Sequence, residues 1–252
     1  MPVKEGRYIY CIIAVREPKT FGPIGIGGRG DELYTVCFDD IAAVVSNSPI
    51  MKYAVSRENT IAHERAIEEA MKTHTVLPVR FATIAEDEEK VKKILEKEYD
   101  KFKDSLNRMK DKKELGLKAI LKEDVIYKDI LEKYKDIRIL KEKVAALPSE
   151  KTYFQRMEIG RMVETALLKE KGTYEKAILD TISPLAVEVK TNDSYYELML
   201  INAAFLVEKH KEAEFDQRVQ ELDARYGDKI KFKYVGTPPF NFVNLVIKME
   251  EY

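Results

Sequence analysis

The chain has 252 residues, enough for one large domain or two modest ones, each able to bury its own core. Hydrophobic residues at 45% and charged residues at 35% exclude a disordered chain, and 43 Lys+Arg against 44 Asp+Glu leave no net positive field to draw in nucleic acid or anionic lipid. The two cysteines, Cys11 and Cys37, lie in apolar runs and read as reduced, buried thiols; no apolar run approaches the roughly 20 residues of a spanning helix, and the opening residues turn polar too soon for a signal peptide. A cytoplasmic protein with no membrane partner is expected.

In chain order, Tyr8 to Val15 is nearly continuous apolar and β-rich, which predicts a central strand covered on both faces. The glycine-dense segment from Phe21 to Gly30 could serve as a phosphate cradle before a helix. No helix start succeeds it, however: two strand-like runs come next, around the turn residues Asp39 and Asp40, so the glycines read as a loop joining strands. Arg29 in that loop is a candidate partner contact.

Ser56 offers an N-cap, with Glu58 in the first turn where the helix dipole favours an anion. At about 100° per residue, Ala62, Ala66, Ile67, Ala70 and Met71 share one face, while Glu64, Arg65, Glu68, Glu69 and Lys72 occupy the other. Asn59 and His63 fall on the apolar side, where a polar side chain needs a hydrogen-bond partner. The plainer reading makes His63 a satisfied core histidine; the alternative is a small-molecule-binding protein or enzyme with a pocket near Asn59, His63 and Arg80. A metal site is not expected, since no second ligand stands at a suitable spacing on that face.

Thr75 to Phe81 reads as a strand, with Pro78 marking an edge or bulge. A surface helix follows, with a stripe from Val91 to Met109, then a short strand over Leu115 to Leu121 and a second amphipathic helix whose stripe includes Ile130, Tyr134, Ile137 and Val144. Another helix is expected from about Pro148 and Ser149 to Pro184, with a break at Gly172, linking two domains. Beyond it come strands over Leu185 to Lys190 and Tyr196 to Val207, a helix presenting Phe215, Val219, Leu222 and Tyr226 and closed by Gly227 as C′ residue, and a strand in which Lys229, Lys231 and Lys233 alternate with apolar residues. This pattern predicts a ferredoxin-like C-terminal half with an antiparallel sheet. The expected organisation is α+β throughout: an N-terminal α+β domain over 1–121, a connector of long amphipathic helices over 122–183 and a ferredoxin-like domain over 184–252. The tail residues Pro238, Pro239, Phe240 and Phe242 form a candidate aromatic docking element, or else a proline turn whose aromatics cap the sheet.

No nucleophile elbow, HExxH, CxxC or complete Walker motif occurs, and three histidines give little for general-base chemistry, so no catalytic residues and no cofactor are expected. Taken in order, "DDIAAVVS" from Asp39, "ENTIAHERAIEEAM" from Glu58, "TVLPVRFATI" from Thr75, "LINAAFLVEKHKEAEFDQRVQEL" from Leu200 and "PPFNFV" from Pro238 resemble the gas vesicle protein F and L family over nearly the whole chain. The last segment departs mildly, with Asn241 where the family often has Ser. The resemblance implies a gas vesicle accessory protein rather than an enzyme, associated with gas vesicles, whose partners are the small hydrophobic shell protein and other accessory proteins. It marks Asn59, His63, Glu64, Arg65, Pro78, Arg80 and Phe81 as family hallmarks without an assigned role. Weighed together, these readings make His63 and Arg80 internal hydrogen-bonding residues that fix the first helix against the strand after it.

Overall fold

A computed structural model describes residues 4–148 and 151–251. The chain divides into two compact units, one formed by residues 1–114 with 236–252 and the other by 115–235. The grouping differs from the expected boundaries. The helices expected to form a connector share the second unit's core, and the tail after residue 235 returns to the first unit.

In the first unit, β1 (Glu5–Ala14) lies inside a six-stranded sheet ordered β2 (Thr20–Gly22), β3 (Leu33–Phe38), β4 (Ile41–Pro49), β1 and β5 (Val76–Pro78), with β6 (Ile84–Ala85) also paired to β1. The pairings of β1 with β4, β5 and β6 are antiparallel, as are those along β2, β3 and β4. The register of β1 against β4 slips between Ile9 and Cys11, leaving Tyr10 as a bulge. Every residue from Tyr8 to Ile13 is buried, as expected for a strand covered on both sides. Pro78 closes the edge strand β5 opposite Cys11, where its missing N–H disturbs no further ladder.

Helix α1 (Arg57–Met71) is capped by the Ser56 side chain, which accepts from the Asn59 amide, and buries His63, Ala66, Ile67 and Ala70 in a core shared with Tyr8, Tyr10 and Ile26. The stripe expected as one helix after residue 87 is two, α2 (Glu88–Lys97) and α3 (Tyr99–Met109), because Glu98 leaves helical geometry at φ −100°, ψ 12°. The apolar spacing survives that break, which is why periodicity alone reads through it.

The second unit follows the order β7 (Lys112–Leu121), α4 (Glu123–Lys133), α5 (Lys135–Ala145), α6 (Tyr153–Ile182), β8 (Ala186–Thr191), β9 (Met199–Glu208), α7 (Glu212–Tyr226) and β10 (Ile230–Thr237). Its four strands lie in the order β10, β7, β9, β8, with β8 and β9 antiparallel. The stripe through Tyr134 is again two helices, broken where Tyr134 takes ψ 88°. By contrast, α6 runs unbroken for 30 residues through Gly172, so the expected break there is absent. Its expected start at Ser149 lies outside the described residues. Gly227 ends α7 in right-handed geometry at φ −65°, not as a left-handed cap. Glycine is required there because a Cβ would stand 2.4 Å from the Asp223 carbonyl oxygen. Leu117, Ile126, Ile137, Leu167, Ile182, Phe205, Phe215 and Ile230 form a single core, against which Ala186 and Val189 of β8 pack.

Candidate functional site

The functional candidates converge on the first unit, where α1, the end of β5 and the returning tail enclose a cavity of about 540 Å³ lined by Thr60, His63, Glu64, Pro78, Val79, Arg80, Phe81, Phe240 and the stretch from Val243 to Val246. A second cavity of about 660 Å³ shares Arg80, Phe81 and Val246 with it and extends along Ile50, Met51, Lys52 and Ile84. Both volumes fall in the range of ligand pockets, about 300–1,000 Å³. The wall between them is held by backbone contacts: Val79 forms a parallel bridge with Leu245, and the Arg80 amide donates to the Leu245 carbonyl at 3.2 Å.

His63 forms the floor. Its ring lies 5.7 Å from those of Tyr8 and Tyr10 and 5.6 Å from Phe81, stacked on Tyr10 and edge-on to the other two. Nδ1 is 3.1 Å from the Tyr8 hydroxyl, and that hydroxyl accepts from the Ala82 amide at 2.8 Å. Of the two partners of this hydroxyl, the Ala82 amide is a donor and Nδ1 alone can accept its proton, which assigns the imidazole proton to Nε2. Burial drives the imidazole pKa down to about 4, against a smaller opposing pull from the Val79 backbone, so the ring is neutral at pH 7. Nε2 is buried and has no hydrogen-bond partner of ordinary geometry. His63 is therefore a core histidine with one full hydrogen bond, to Tyr8, and a weaker interaction with the Val79 backbone.

Arg80 departs from the expected internal role. Its backbone is held by Leu245, but its side chain is exposed and has no hydrogen bond or ion pair among the described residues, because β5 ends at Pro78 and the chain turns outward. Glu64, half-buried, also lines the cavity, its carboxyl pKa raised by burial and by Glu68. Asn59 does not line the cavity; its amide donates to the Ala54 carbonyl at 3.0 Å. Arg65 is exposed away from it, whereas Pro78 and Phe81 form its wall.

The remaining candidates separate. Arg29 is taken up by Glu5 and Asp31 at 3.0 Å each. Pro238, Pro239 and Phe242 are buried, and only Phe240 presents its ring outward, 42% exposed. The tail is fastened by Glu114, which accepts from the Asn241 amide at 2.9 Å, the Asn241 side chain at 2.5 Å and the Thr237 hydroxyl at 3.2 Å. Burial outweighs those donors and leaves the Glu114 carboxyl above its ordinary pKa. Sequence reasoning missed Glu114, although one acid inside the apolar stretch "ELGLKAIL" was an available signal.

A polar recess in the second unit is closed by its own pairings. The buried Glu170 accepts from Lys133 at 2.6 Å and Tyr134 at 2.7 Å, and Lys229 pairs with Asp129. Among the described residues no three His, Cys, Asp or Glu side chains come together as a metal-binding group, and no helix is long and apolar enough to cross a membrane.

The family described as gas vesicle synthesis protein GvpL/GvpF matches residues 6–244. Gas vesicle protein F of Dolichospermum flosaquae is 26% identical over 243 residues, covering 94% of this chain and 97% of the relative, and that of a Nostoc species is 26% identical over 250 residues, covering 96% and 100%. The crystal structure of GvpF from Anabaena superposes with a TM-score of 0.81 at 25% identity, covering 96% of this chain and 99% of the other.

Proposed function

The chain belongs to the gas vesicle synthesis protein GvpL/GvpF family, and from that premise we propose that it is a non-enzymatic assembly factor that binds the hydrophobic shell-forming protein in the cytoplasm while gas vesicles form, alongside other accessory proteins. The observation that carries this reading is the concave apolar surface of the first unit. Two adjoining cavities share Arg80, Phe81 and Val246, and Ile50, Met51, Phe240 and Val246 stand exposed along them. Contiguous exposed apolar surface around a concavity is characteristic of protein-binding sites. A shell subunit exposes apolar surface before it is assembled, and a trough of this kind covers such surface against aggregation.

In this reading the two compact units are two α+β domains, with the binding surface on the first. The second is a ferredoxin-like domain, supported by the order of its strands and by the succession strand, helices, two strands, helix, strand. Co-purification of the shell-forming protein with this chain tests the function. Retention of the shell protein is expected; its absence, together with normal vesicles in cells lacking this chain, rejects the reading.

A further inference from the structure

We propose that the free edge of β8 is a self-association surface. Two copies of this chain pair β8 with β8, antiparallel about a two-fold axis at Val189, and so join their four-stranded sheets into one. The inference is independent of the partner reading above and uses the second unit alone.

β8 ends its sheet, and among the described residues no strand lies on its outer side. The Asn192 amide donates to the Asn202 carbonyl at 2.7 Å, and these two residues fall opposite each other when the register of β8 on β9 is continued. Hydrogen-bonded positions alternate along an antiparallel pair. Lys190 and Glu188 therefore turn their backbone groups toward β9, while Val189 and Thr191 turn theirs to the open edge. Unpaired groups in such a row are a template for another strand.

Side chains decide which strand fits. Ala186 and Val189 pack against the core, and Val187 bulges out between Ala186 and Glu188, which leaves Glu188 and Lys190 on the opposite face. A second β8 turned about Val189 sets its Lys190 against Glu188 and its Glu188 against Lys190, and brings valine to valine on the core side. Two opposite-charge pairs result. Within one chain the two groups stand 3.9 Å apart on half-exposed side chains, a loose surface pair that the two-fold arrangement extends into a cluster of four charges. Centring the axis on Glu188 or on Lys190 instead sets like charges directly opposite each other, and centring it between residues places a charged side chain opposite Val189. The other edge of the sheet behaves differently. β10 exposes Lys231 and Lys233 on one face, so a second β10 turned about Phe232 sets lysine against lysine. One edge repels its own copy; the other matches it. A ladder as short as that of β8 buries little surface, so the dimer is weak and reversible.

Sedimentation equilibrium of the full chain, at concentrations up to about 0.5 mM, tests the proposal, and a reversible monomer–dimer equilibrium is expected. Glu188→Lys and Lys190→Glu each set like charges across the axis, and each is expected to weaken association by about tenfold or more. The double variant Glu188→Lys/Lys190→Glu restores both pairs with their signs exchanged and is expected to recover the dimer. An equimolar mixture of the two single variants is expected to form a heterodimer. A native chain that stays monomeric throughout overturns the inference, as does a dimer indifferent to both single variants or a double variant as weak as either.

Discussion

His63 is the residue on which the first unit's polar chemistry turns. A helix that buries Ala66, Ile67 and Ala70 carries it into a box of Tyr8, Tyr10 and Phe81, where the charged imidazole cannot be solvated. Its pKa is lowered on folding, so the unfolded chain binds the proton more readily. The stability it allows is complete above the unfolded value of 6.5 and falls as pH drops toward about 4, by about 3 kcal/mol across that window. We predict that His63→Phe flattens the dependence of unfolding free energy on pH between 6.5 and 4, measured by urea denaturation. Of the residual slope in that variant, His74, whose pKa is also lowered by burial, contributes a part of the same sign, and Glu64 and Glu114, whose carboxyl pKa values are raised, a part of the opposite sign. A variant with the full native slope would show that His63 is not the titrating group. At pH 7, His63→Ala is expected to lower stability by about 1 to 3 kcal/mol, since it removes the Tyr8 hydroxyl's acceptor and opens a void; an unchanged melting curve would count against that packing role. That His63 faces the core was legible from helical periodicity. That Arg80 does not join it was not, because the side chain's direction depends on where β5 stops and the tail returns.

At the scale of elements, α6 and the tail make separate claims. Gly160 and Gly172 are exposed within the 30-residue helix, and a Cβ at either meets nothing within 4 Å. Each Gly→Ala replacement is therefore expected to stabilise the protein, by about 1 kcal/mol at most, read as a raised denaturation midpoint; destabilisation would mean that the helix bends at these positions. The tail depends on Glu114 for three hydrogen bonds, so Glu114→Ala should speed amide exchange across residues 240–246 while the β1 to β4 pairing keeps its protection. Equal loss in both regions would make Glu114 a general core residue. Sequence patterning found α1 with its Ser56 cap, the edge role of Pro78 and the lysine-faced strand β10, since each is set by local spacing. It could not find the interruptions at Glu98 and Tyr134, which leave the apolar stripe intact, nor the return of residues 236–252 to the first unit, which only long-range contacts specify. The candidate site was half legible for the same reason: α1 and the β5 segment announced themselves, while Val243, Leu245 and Val246, which complete the cavity, carry no local signal.

For the whole molecule, a chain with nearly balanced charge and two well-packed units has little long-range field with which to attract a partner, so recognition falls to shaped apolar surface. In the first unit that surface is presented by two adjoining cavities that share Arg80, Phe81 and Val246. Membership of the GvpL/GvpF family gives the surface a biological setting. The most direct test places a photo-crosslinking amino acid at Val246 in one variant and at Lys231 in another, and illuminates each in cells forming vesicles. The account predicts a covalent adduct with the shell-forming protein from position 246 and none from position 231. An adduct from 231 with none from 246 would contradict it.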